Sequence, residues 1–381
     1  MVTPESDGVH GGRLARRVTL GVVTPLVLAA LVAVGYANVQ HPTNTTTSTL
    51  VATSTTSTTT TTLAPVATIA AVGDTELGNT PQLPPDLAAY MAPVVPALAA
   101  PIVFGNLEGT MTDATTSKCS STSTFCYAFR VPPSFAEVYR RAGFNVLNSA
   151  NNHSNDYGAS GVADTSSALR AAGITQAGLA GQIGVVRDGS LKVAFVDFAP
   201  YASTNNLLDF PAAAELIRHA KSVADLVVVY MHAGAEGPDA AHVTRATETF
   251  VGENRGNPYA FAHAAINDGA DLVIASGPHV LRGLEWYRGH LIDYSLGDFA
   301  NYYNFATSGD LRYSAILKVT LDAAGSTVRA NFTSLVLSPS GQPSVDPTRS
   351  AAQFVNLLSH QDFANAAAVI APDGNVSLPV R

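Results

Sequence analysis

The sequence has little charge, almost no cysteine and no excess of basic residues. Of its 381 residues 13% are charged, about half the fraction in an ordinary soluble domain. Because 46% are hydrophobic, a wholly disordered chain is excluded. The 21 basic residues face 29 acidic ones, a net charge of −8, which argues against a nucleic-acid partner because phosphate backbones bind basic surfaces. With only two cysteines the chain is not a disulfide scaffold, so its core must hold by packing.

The N-terminal residues predict a membrane segment. Residues 1–17 are polar and end in three closely spaced arginines, and residues 18–38 form an apolar stretch. This stretch is long enough to cross a hydrocarbon core of about 30 Å, and the basic flank favours an extracytoplasmic remainder. Two interpretations stay open: a single-pass anchor in the cell membrane, or a signal peptide cleaved after Ala37, which would give a secreted protein.

The rest of the chain divides into a linker and a folded domain. Residues 39–65 are mostly threonine and serine, which bury too little apolar surface to fold. In residues 66–381, six apolar runs predict buried strands: VATIAAVGD, PIVFGN, FNVLNSANNH, KVAFVDF, LVVVYMH and DLVIASGPH. Four helix-like stretches lie between them: PSFAEVYRRAGF, GVADTSSALRAAGI, AAAELIRHAKSVADL and PYAFAHAAINDGADL. This alternation predicts an α/β domain with mostly parallel or mixed strands. The runs RYSAILKVTLDAAG and TVRANFTSLVLSP predict antiparallel strands joined by a glycine turn.

Oxygen and imidazole groups follow the ends of five predicted strands, where ligands bind in open α/β sheets. These residues are Asp74, Asn106, Glu108, Asn151, Asn152, His153, His232 and His279. Carboxylates and imidazoles together suit Mn, Zn or Fe better than calcium. A carboxylate between two cations can also bridge them. The pattern therefore predicts a site for one or two divalent cations, on condition that these side chains meet in one pocket.

Five segments, in this order, resemble the signature blocks of CapA-type proteins of capsule and poly-γ-glutamate synthesis. They are GDTELG (73–78), NLEGTMT (106–112), NNHSNDYG (151–158), VVVYMHAGAE (227–236) and GPHVLRGLEWYRGHLIDYSLGDF (277–299). The blocks are also similar to those of calcineurin-like metallophosphatases. The resemblance implies a metallophosphatase-like β-sandwich flanked by helices, with a metal centre at the strand ends. It also implies a role in making or exporting an anionic surface polymer.

The resemblance implies a role for individual side chains. The implied metal ligands are Asp74, Glu108, Asn152, His232 and His279, with Glu108 as the bridging carboxylate. His153 matches a residue that protonates the leaving group or steadies the transition state. Glu76 stands where metallophosphatases have a histidine, and it is expected either to complete one metal site or to be a solvated loop residue. Arg130 matches a family arginine and is expected to meet an anionic substrate or to form a structural salt bridge.

Two positions depart from the family pattern. Gly277 precedes Pro278 and His279 where many relatives have a further histidine, so one imidazole is missing. Asp298 stands where the family has asparagine, and the sequence suggests no role for it beyond capping a turn.

Two further expectations concern residues around the site. Glu236 follows His232 by four residues, so it is expected either to hold an imidazole or to be an exposed loop acid. Cys119 and Cys126 enclose a loop rich in serine and threonine. Outside the membrane we expect them to form a disulfide.

Three functions stay open. The leading hypothesis is a membrane-tethered extracytoplasmic protein for synthesis or export of a polymer such as poly-γ-glutamate, with metal-assisted hydrolysis if it is catalytic. The second is a non-catalytic surface module that holds a polyanionic chain through bound cations for an assembly complex. The third is a general metallophosphoesterase whose substrate is a phosphoester.

Overall fold

The computed structural model describes residues 64–120, 122–123 and 126–377. The predicted cytoplasmic segment 1–17, the predicted membrane segment 18–38 and linker residues 39–63 lie outside this range. No helix in the described ranges is both long and apolar enough to cross a membrane. The division into anchor, linker and domain stays a prediction.

Strands of two to eleven residues run through the whole described domain. In chain order they are β1 (Val66–Glu76), β2 (Ile102–Leu107), β3 (Thr110–Met111), β4 (Arg130–Val131), β5 (Val146–Asn148), β6 (Thr175–Ala177), β7 (Gly184–Asp188), β8 (Leu191–Ala199), β9 (Asn205–Asn206), β10 (Leu226–His232), β11 (Thr249–Phe250), β12 (Glu253–Asn254), β13 (Leu272–Ser276), β14 (Leu284–Tyr287), β15 (His290–Asp293), β16 (Asp298–Asn301), β17 (Tyr313–Asp322), β18 (Thr327–Leu337), β19 (Pro343–Val345), β20 (Val369–Ile370) and β21 (Val376–Ser377).

Helices alternate with these strands. They are α1 (Leu87–Met91), α2 (Val95–Leu98), α3 (Phe135–Ala142), α4 (Gly158–Ala171), α5 (Phe210–Val223), α6 (Pro258–Asp268) and α7 (Ser350–Phe363). Their ends follow local chemistry, as α6 shows. The Asn257 side chain accepts a hydrogen bond from the backbone N–H of Ala260, Pro258 occupies the first turn, and Gly269 ends the helix in a left-handed conformation.

The longer strands form two mixed sheets. The first has the order β19-β18-β17-β1-β2-β5-β6, and β16 also pairs with β1. The second has the order β14-β15-β13-β10-β8-β7, and β9 pairs with β8. Strands β1, β2, β5 and β6 are parallel, as are β8, β10 and β13. The predicted C-terminal pair β17 and β18 is antiparallel, which confirms that expectation.

The two sheets pack face to face around an apolar core. Phe104 of β2 stacks on Phe195 of β8 with ring centroids 5.2 Å apart, and the Tyr230 ring of β10 lies 5.4 Å from Phe104. On β10, Val228 and Tyr230 face this core, while Val229 packs on the other face with residues of α5 and α6. Because both faces of β10 are buried, its sequence is continuously apolar rather than alternating. Helices α3 and α4 cover the outer face of the first sheet.

The described domain is therefore a two-sheet sandwich flanked by helices, as expected. Each of the six predicted strand runs contains a strand, and each of the four helix-like stretches contains a helix. Helix α7 and the β14–β15 hairpin were not among those expectations.

Candidate metal centre

Polar residues from both sheets meet where the parallel strands end. Asp74 lies near the end of β1, His232 is the last residue of β10, and Glu108 directly follows β2. Strand β16 runs parallel to β1 with Asp298 paired to Asp74. Side chains from distant parts of the sequence thus lie close together at these strand ends.

Asp74 is the central residue of this cluster. Its Oδ1 accepts hydrogen bonds from the Ser276 hydroxyl and from Asn106 Nδ2, the latter at 2.7 Å. Its Oδ2 lies 3.1 Å from the backbone nitrogen of Gly277 and 3.2 Å from His279 Nδ1. Burial alone would raise the pKa of Asp74, but the hydrogen bond and charge of His279, together with His232 and the Ser276 hydrogen bond, lower that pKa to about 2. Asp74 is therefore ionised at neutral pH.

Glu108 lies beside Asp74 and is held by the same amide. Asn106 Nδ2 donates to Glu108 Oε2 as well as to Asp74, while the side-chain oxygen Oδ1 of Asn106 accepts from Asn148 Nδ2 at 2.6 Å and Asn151 Nδ2 at 2.8 Å. Burial and the charge of Asp74 raise the pKa of Glu108 well above its usual value. Asn106 thus positions two carboxylates that repel each other, and among the described residues Glu108 Oε1 has no hydrogen-bond partner.

His232 reaches the cluster from the second sheet. Its Nδ1 lies 3.8 Å from Asp74 Oδ1 and 3.6 Å from Glu108 Oε2. The ring is fully buried, and burial lowers its pKa well below the usual value. No described residue makes a hydrogen bond to His232 Nε2. His232 is consequently a neutral imidazole next to two carboxylates, which is the form that binds a cation.

His279 lies on the other side of Asp74. Its Nδ1 is 2.8 Å from Asp298 Oδ1, and Asn301 Nδ2 donates to the other oxygen of Asp298 at 2.8 Å. The ring stacks on Phe305 at 4.2 Å. Burial disfavours a charge on His279, yet the carboxylates of Asp298 and Asp74 raise its pKa well above the usual value. Asp298, for which the sequence suggested at most a turn cap, is therefore part of the cluster.

The donor atoms form two groups that share one residue. Ligand atoms of Asp74, Glu108 and His232 all lie within 4.8 Å of one another, and so do those of Asp74, His279 and Asp298. Buried charges need partners, and carboxylate–imidazole sets of this kind fit a divalent transition metal. The structure places Asp74 in both groups, whereas the sequence assigned the bridging position to Glu108.

Two further predicted ligands lie at the edge of these groups. Glu76 is buried, and within the described part of the chain neither of its oxygens has a partner. Burial, together with the charges of Glu108, Asp156 and Asp298, raises the pKa of Glu76. It is not a solvated loop acid, the alternative left open by the sequence. The buried Oδ1 of Asn152 likewise has no partner among those residues, and Asn152 lines the adjoining cleft.

His153 faces the centre from the β5–α4 loop. Its Nδ1 lies 2.9 Å from Asp156 Oδ2, and Lys118 Nζ lies 2.7 Å from the other Asp156 oxygen. Its Nε2 lies 3.9 Å from Glu108 Oε1. Burial lowers the pKa of His153, although Asp156 opposes this shift. The imidazole is thus oriented by Asp156, a residue absent from the predicted site that stands three positions after His153.

A cleft of about 760 Å³ adjoins the cluster at His279 and His153. Its lining includes Asn152, His153, Glu236, Arg255, His279 and Phe305. Arg255 was not among the predicted site residues. It lies in a part of the sequence that matches none of the quoted blocks, so only its three-dimensional placement shows it.

Of the four remaining predicted residues, Glu236 and Cys126 line this cleft, whereas Arg130 and Cys119 do not. Arg130 is not part of the described cleft lining: its Nη1 donates to the Ala114 carbonyl at 2.7 Å and the guanidinium lies over the Tyr157 ring. Glu236 approaches His279 Nε2 at 3.8 Å rather than His232, and it pairs with Arg255 at 2.8 Å. Glu236 is therefore not the exposed loop acid that the sequence left as an alternative. Cys119 and Cys126 form a disulfide beside the cleft, which Cys126 lines.

Comparison with known families shows to which family the chain belongs. The family described as Bacterial capsule synthesis protein PGA_cap matches residues 68–303, well over half of the sequence. The chain belongs to this family. The match covers both donor groups, from Asp74 to Asp298.

Curated relatives carry related names. The chain is 32% identical over 182 residues to the PGA biosynthesis protein CapA of Bacillus subtilis (strain 168), and 31% identical over 185 residues to the capsule biosynthesis protein CapA of Bacillus anthracis. Each alignment covers 43% of this chain, and 44% and 41% of the two relatives. The chain thus spans less than half of the length of these relatives.

Solved structures match the chain at low similarity. A 5'-nucleotidase precursor from Thermus thermophilus matches 80% of this chain and 61% of its own, with 13% identity and a TM-score of 0.38. GAP50, the anchor in the inner membrane complex of Plasmodium, matches 77% of this chain and 95% of its own, with 12% identity and a TM-score of 0.36. TM-scores this low carry no argument about the chemistry of this chain.

Proposed function

We propose that this protein is a metal-dependent hydrolase that acts on an anionic surface polymer, such as poly-γ-glutamate, during capsule synthesis. One observation carries the proposal. Buried carboxylates and imidazoles form two donor groups around Asp74, next to a cleft that His279 lines, and Glu108 Oε1 and His232 Nε2 lack hydrogen-bond partners among the described residues. The family assignment supplies the polymer context.

Asp74, Glu108, His232, His279 and Asp298 would hold one or two cations such as Mn, Zn or Fe, with Glu76 and Asn152 as added oxygen ligands. His279, whose pKa Asp298 and Asp74 raise, would release its proton to solvent on binding a cation. A bound cation would supply Lewis acidity and a more acidic water for attack on a phosphoester or acyl centre, the chemistry of metallophosphatases. Other contacts within the chain position these ligands. Asn106 keeps Asp74 and Glu108 in position, and the Asp298 contact orients the His279 ring.

His153 is the proton-transfer residue of this proposal. Asp156 contacts its Nδ1, which leaves Nε2 to exchange a proton with a group in the cleft. Phe129 packs against the imidazole with centroids 4.4 Å apart and restricts its orientation. We assign to His153 transfer of a proton to the leaving group.

We further propose that the domain works outside the cytoplasmic membrane, tethered by residues 18–38 and alongside other components of a polymer-synthesis complex. The apolar N-terminal sequence supports this location. The Cys119–Cys126 disulfide agrees with it, because disulfides persist in oxidising compartments.

The test begins with metal content. The purified protein, loaded with Mn or Zn and desalted, should retain at least one equivalent by elemental analysis. It should hydrolyse a chromogenic phosphodiester, a chromogenic phosphomonoester or poly-γ-glutamate. His153→Ala should lower the rate by about 100-fold or more with unchanged metal content. His219→Ala, at an exposed helix position, is the matched control. Equal rates for all three proteins, or absence of retained metal, would contradict the proposal.

A second function is favoured by one observation. The family resemblance implies a further histidine where this chain has Gly277, whose Cβ position lies only 3.1 Å from the His232 ring. A centre short of one ligand suits a non-catalytic module that holds a polyanion through bound cations. Metal-dependent retention on immobilised poly-γ-glutamate, with no cleavage of any of the three substrates, would select this function.

A further inference from the structure

Arg255 has an unused hydrogen-bonding edge beside the metal centre. It is 1% exposed and lines the cleft. Its Nη1 is occupied, because it lies 2.8 Å from Glu236 Oε1 and donates to the Tyr201 hydroxyl at 3.0 Å. Its Nε and Nη2 have no hydrogen-bond partner among the residues that the structure describes. These two N–H groups form one side of the planar guanidinium.

Another arginine of this chain shows which groups the Nε and Nη2 edge of a guanidinium can bind. In Arg140 the same two nitrogens, Nε and Nη2, donate at 2.6 Å to the two carboxylate oxygens of Glu137. Such two-point contacts to a carboxylate or phosphate are a property of arginine that lysine does not reproduce. An unoccupied Nε/Nη2 edge is therefore shaped for an oxyanion.

A second buried arginine provides the contrast. Arg282 is fully buried, and its three nitrogens are all used: Nε donates to the Ala240 carbonyl, and Nη1 and Nη2 donate to Glu248. It forms none of the lining of this cleft. The guanidinium of Arg282, which lies outside the cleft, thus has a partner at every nitrogen. The guanidinium of Arg255, which lines the cleft, does not.

The charge on Arg255 is secured by its surroundings. Burial opposes the charge, but Tyr201 and the carboxylates of Glu236, Glu108 and Glu253 raise its pKa above the ordinary value. Glu236 connects it to the metal centre, since its other oxygen lies 3.8 Å from His279 Nε2. Glu236 therefore lies between Arg255 and His279.

We infer that Arg255 is the anion-binding residue of the cleft and that its Nε/Nη2 edge binds a carboxylate or phosphate group of the substrate. This inference rests on the proposed function and deepens it. It replaces Arg130, which sequence resemblance suggested for the same task. In a polymer such as poly-γ-glutamate the bound group would be a side carboxylate next to the linkage at His279 and His153.

Calorimetric titration with two probes tests the inference. The probes are a short poly-γ-glutamate oligomer and inorganic phosphate, each with and without bound Mn. Arg255→Lys keeps the charge but loses the two-point contact, so we expect at least one probe to bind about tenfold or more weakly. Arg130→Lys is the matched control and should change neither affinity by more than about twofold. The probe that loses affinity identifies the oxyanion.

Unchanged binding of both probes to Arg255→Lys would overturn the inference, as would equal losses in both variants. If Arg255→Lys does not fold, titrations of the unaltered protein test the inference instead. The oligomer should then bind about tenfold more tightly than its carboxamide derivative, or phosphate should bind measurably. Failure of both results would also overturn the inference. Elemental analysis of the same samples reports separately on the metal centre, so that loss of the proposed function is recognised independently of Arg255.

Discussion

Asp74 contributes to more of the proposed metal centre than any neighbouring side chain does. It belongs to both donor groups, whereas Glu108 and His232 belong to one and His279 and Asp298 to the other. A residue that belongs to two ligand sets affects cation binding by both of them. Its replacement must therefore act differently from the replacement of a residue in one set.

We expect Asp74→Asn to lower the affinity for Mn by more than about 100-fold. Asp298→Asn should lower it by about 10-fold, because Asp298 acts in one group and also orients His279. Titration calorimetry and elemental analysis give both values. Exposed Asp310→Asn should leave binding unchanged. Equal effects of Asp74→Asn and Asp298→Asn would show that Asp74 is not shared.

Asp293 offers a pH test away from this centre. Burial raises its pKa to about 8, although the backbone N–H groups of Ala275 and Ser295 oppose the shift. The native carboxyl keeps its proton between about pH 4 and 8, while the unfolded chain releases it. The free energy of unfolding should therefore fall as the pH rises through this window.

In Asp293→Asn that fall should be smaller by at least about 1 kcal/mol between pH 5 and 8. Urea unfolding at the two pH values measures the difference, and the amide can still accept the hydrogen bond from Ala275. The same fall in both proteins would mean that Asp293 does not titrate in this range.

Site residues at strand ends could be predicted from sequence, because parallel strands deliver their carboxyl ends to one edge. Asp298 could not, since its role depends on the pairing of β16 with β1, two strands far apart in the chain. Arg255 follows no predicted strand. Arg130 matched a family arginine, but a matching position does not fix where a long side chain points. Asp156 had a local signal, its spacing of three residues from His153.

At the scale of elements, the contact between the ends of β1 and β16 positions the centre. The backbone nitrogen of Asp74 donates to the Gly297 carbonyl at 2.9 Å. A Cβ at Gly73 would overlap that carbonyl oxygen, so only glycine allows the two strands to approach this closely. The approach places Asp74 beside Asp298.

Gly73→Ala should therefore destabilise the fold by about 1–3 kcal/mol and also lower Mn affinity. Gly173→Ala is the control. It has a positive φ but open space around its Cβ position, so it should cost about 1–2 kcal/mol without any loss of metal. Urea unfolding and elemental analysis test both variants. Full metal binding by folded Gly73→Ala would contradict this role for the strand contact.

The sheets were predictable and some of the elements around them were not. Strands such as β10 have no alternation because both faces are buried, and their continuous apolar runs are visible in sequence. The β14–β15 hairpin was obscured because its residues were assigned to a family block. Its turn has one sequence signal, Gly289, while the positive φ of the preceding Arg288 is visible only in the structure. Helix α7 also has one, since Ala351, Val355 and Leu358 share one buried face.

For the whole molecule, the centre links metal binding to stability. Several buried ionisable groups sit together there, and burial with mutual repulsion raises the pKa of both Glu76 and Glu108. Without a cation this arrangement costs the fold free energy. A cation that binds only the native state adds about 2.7 kcal/mol at a concentration 100 times its dissociation constant. The same carboxylates thus destabilise the metal-free protein and stabilise the metal-bound protein.

Glu108→Gln should reveal this reversal. In the metal-free protein it removes repulsion with Asp74 and keeps the side-chain volume, so we expect the free energy of unfolding to rise by about 1 kcal/mol. In the Mn-loaded protein it removes a ligand, and we expect a fall of about 1 kcal/mol or more relative to the loaded unaltered protein. Urea unfolding with chelator or with Mn compares the four states. The same sign in both conditions would mean that Glu108 does not face a cation, because only a bound cation makes its charge stabilising.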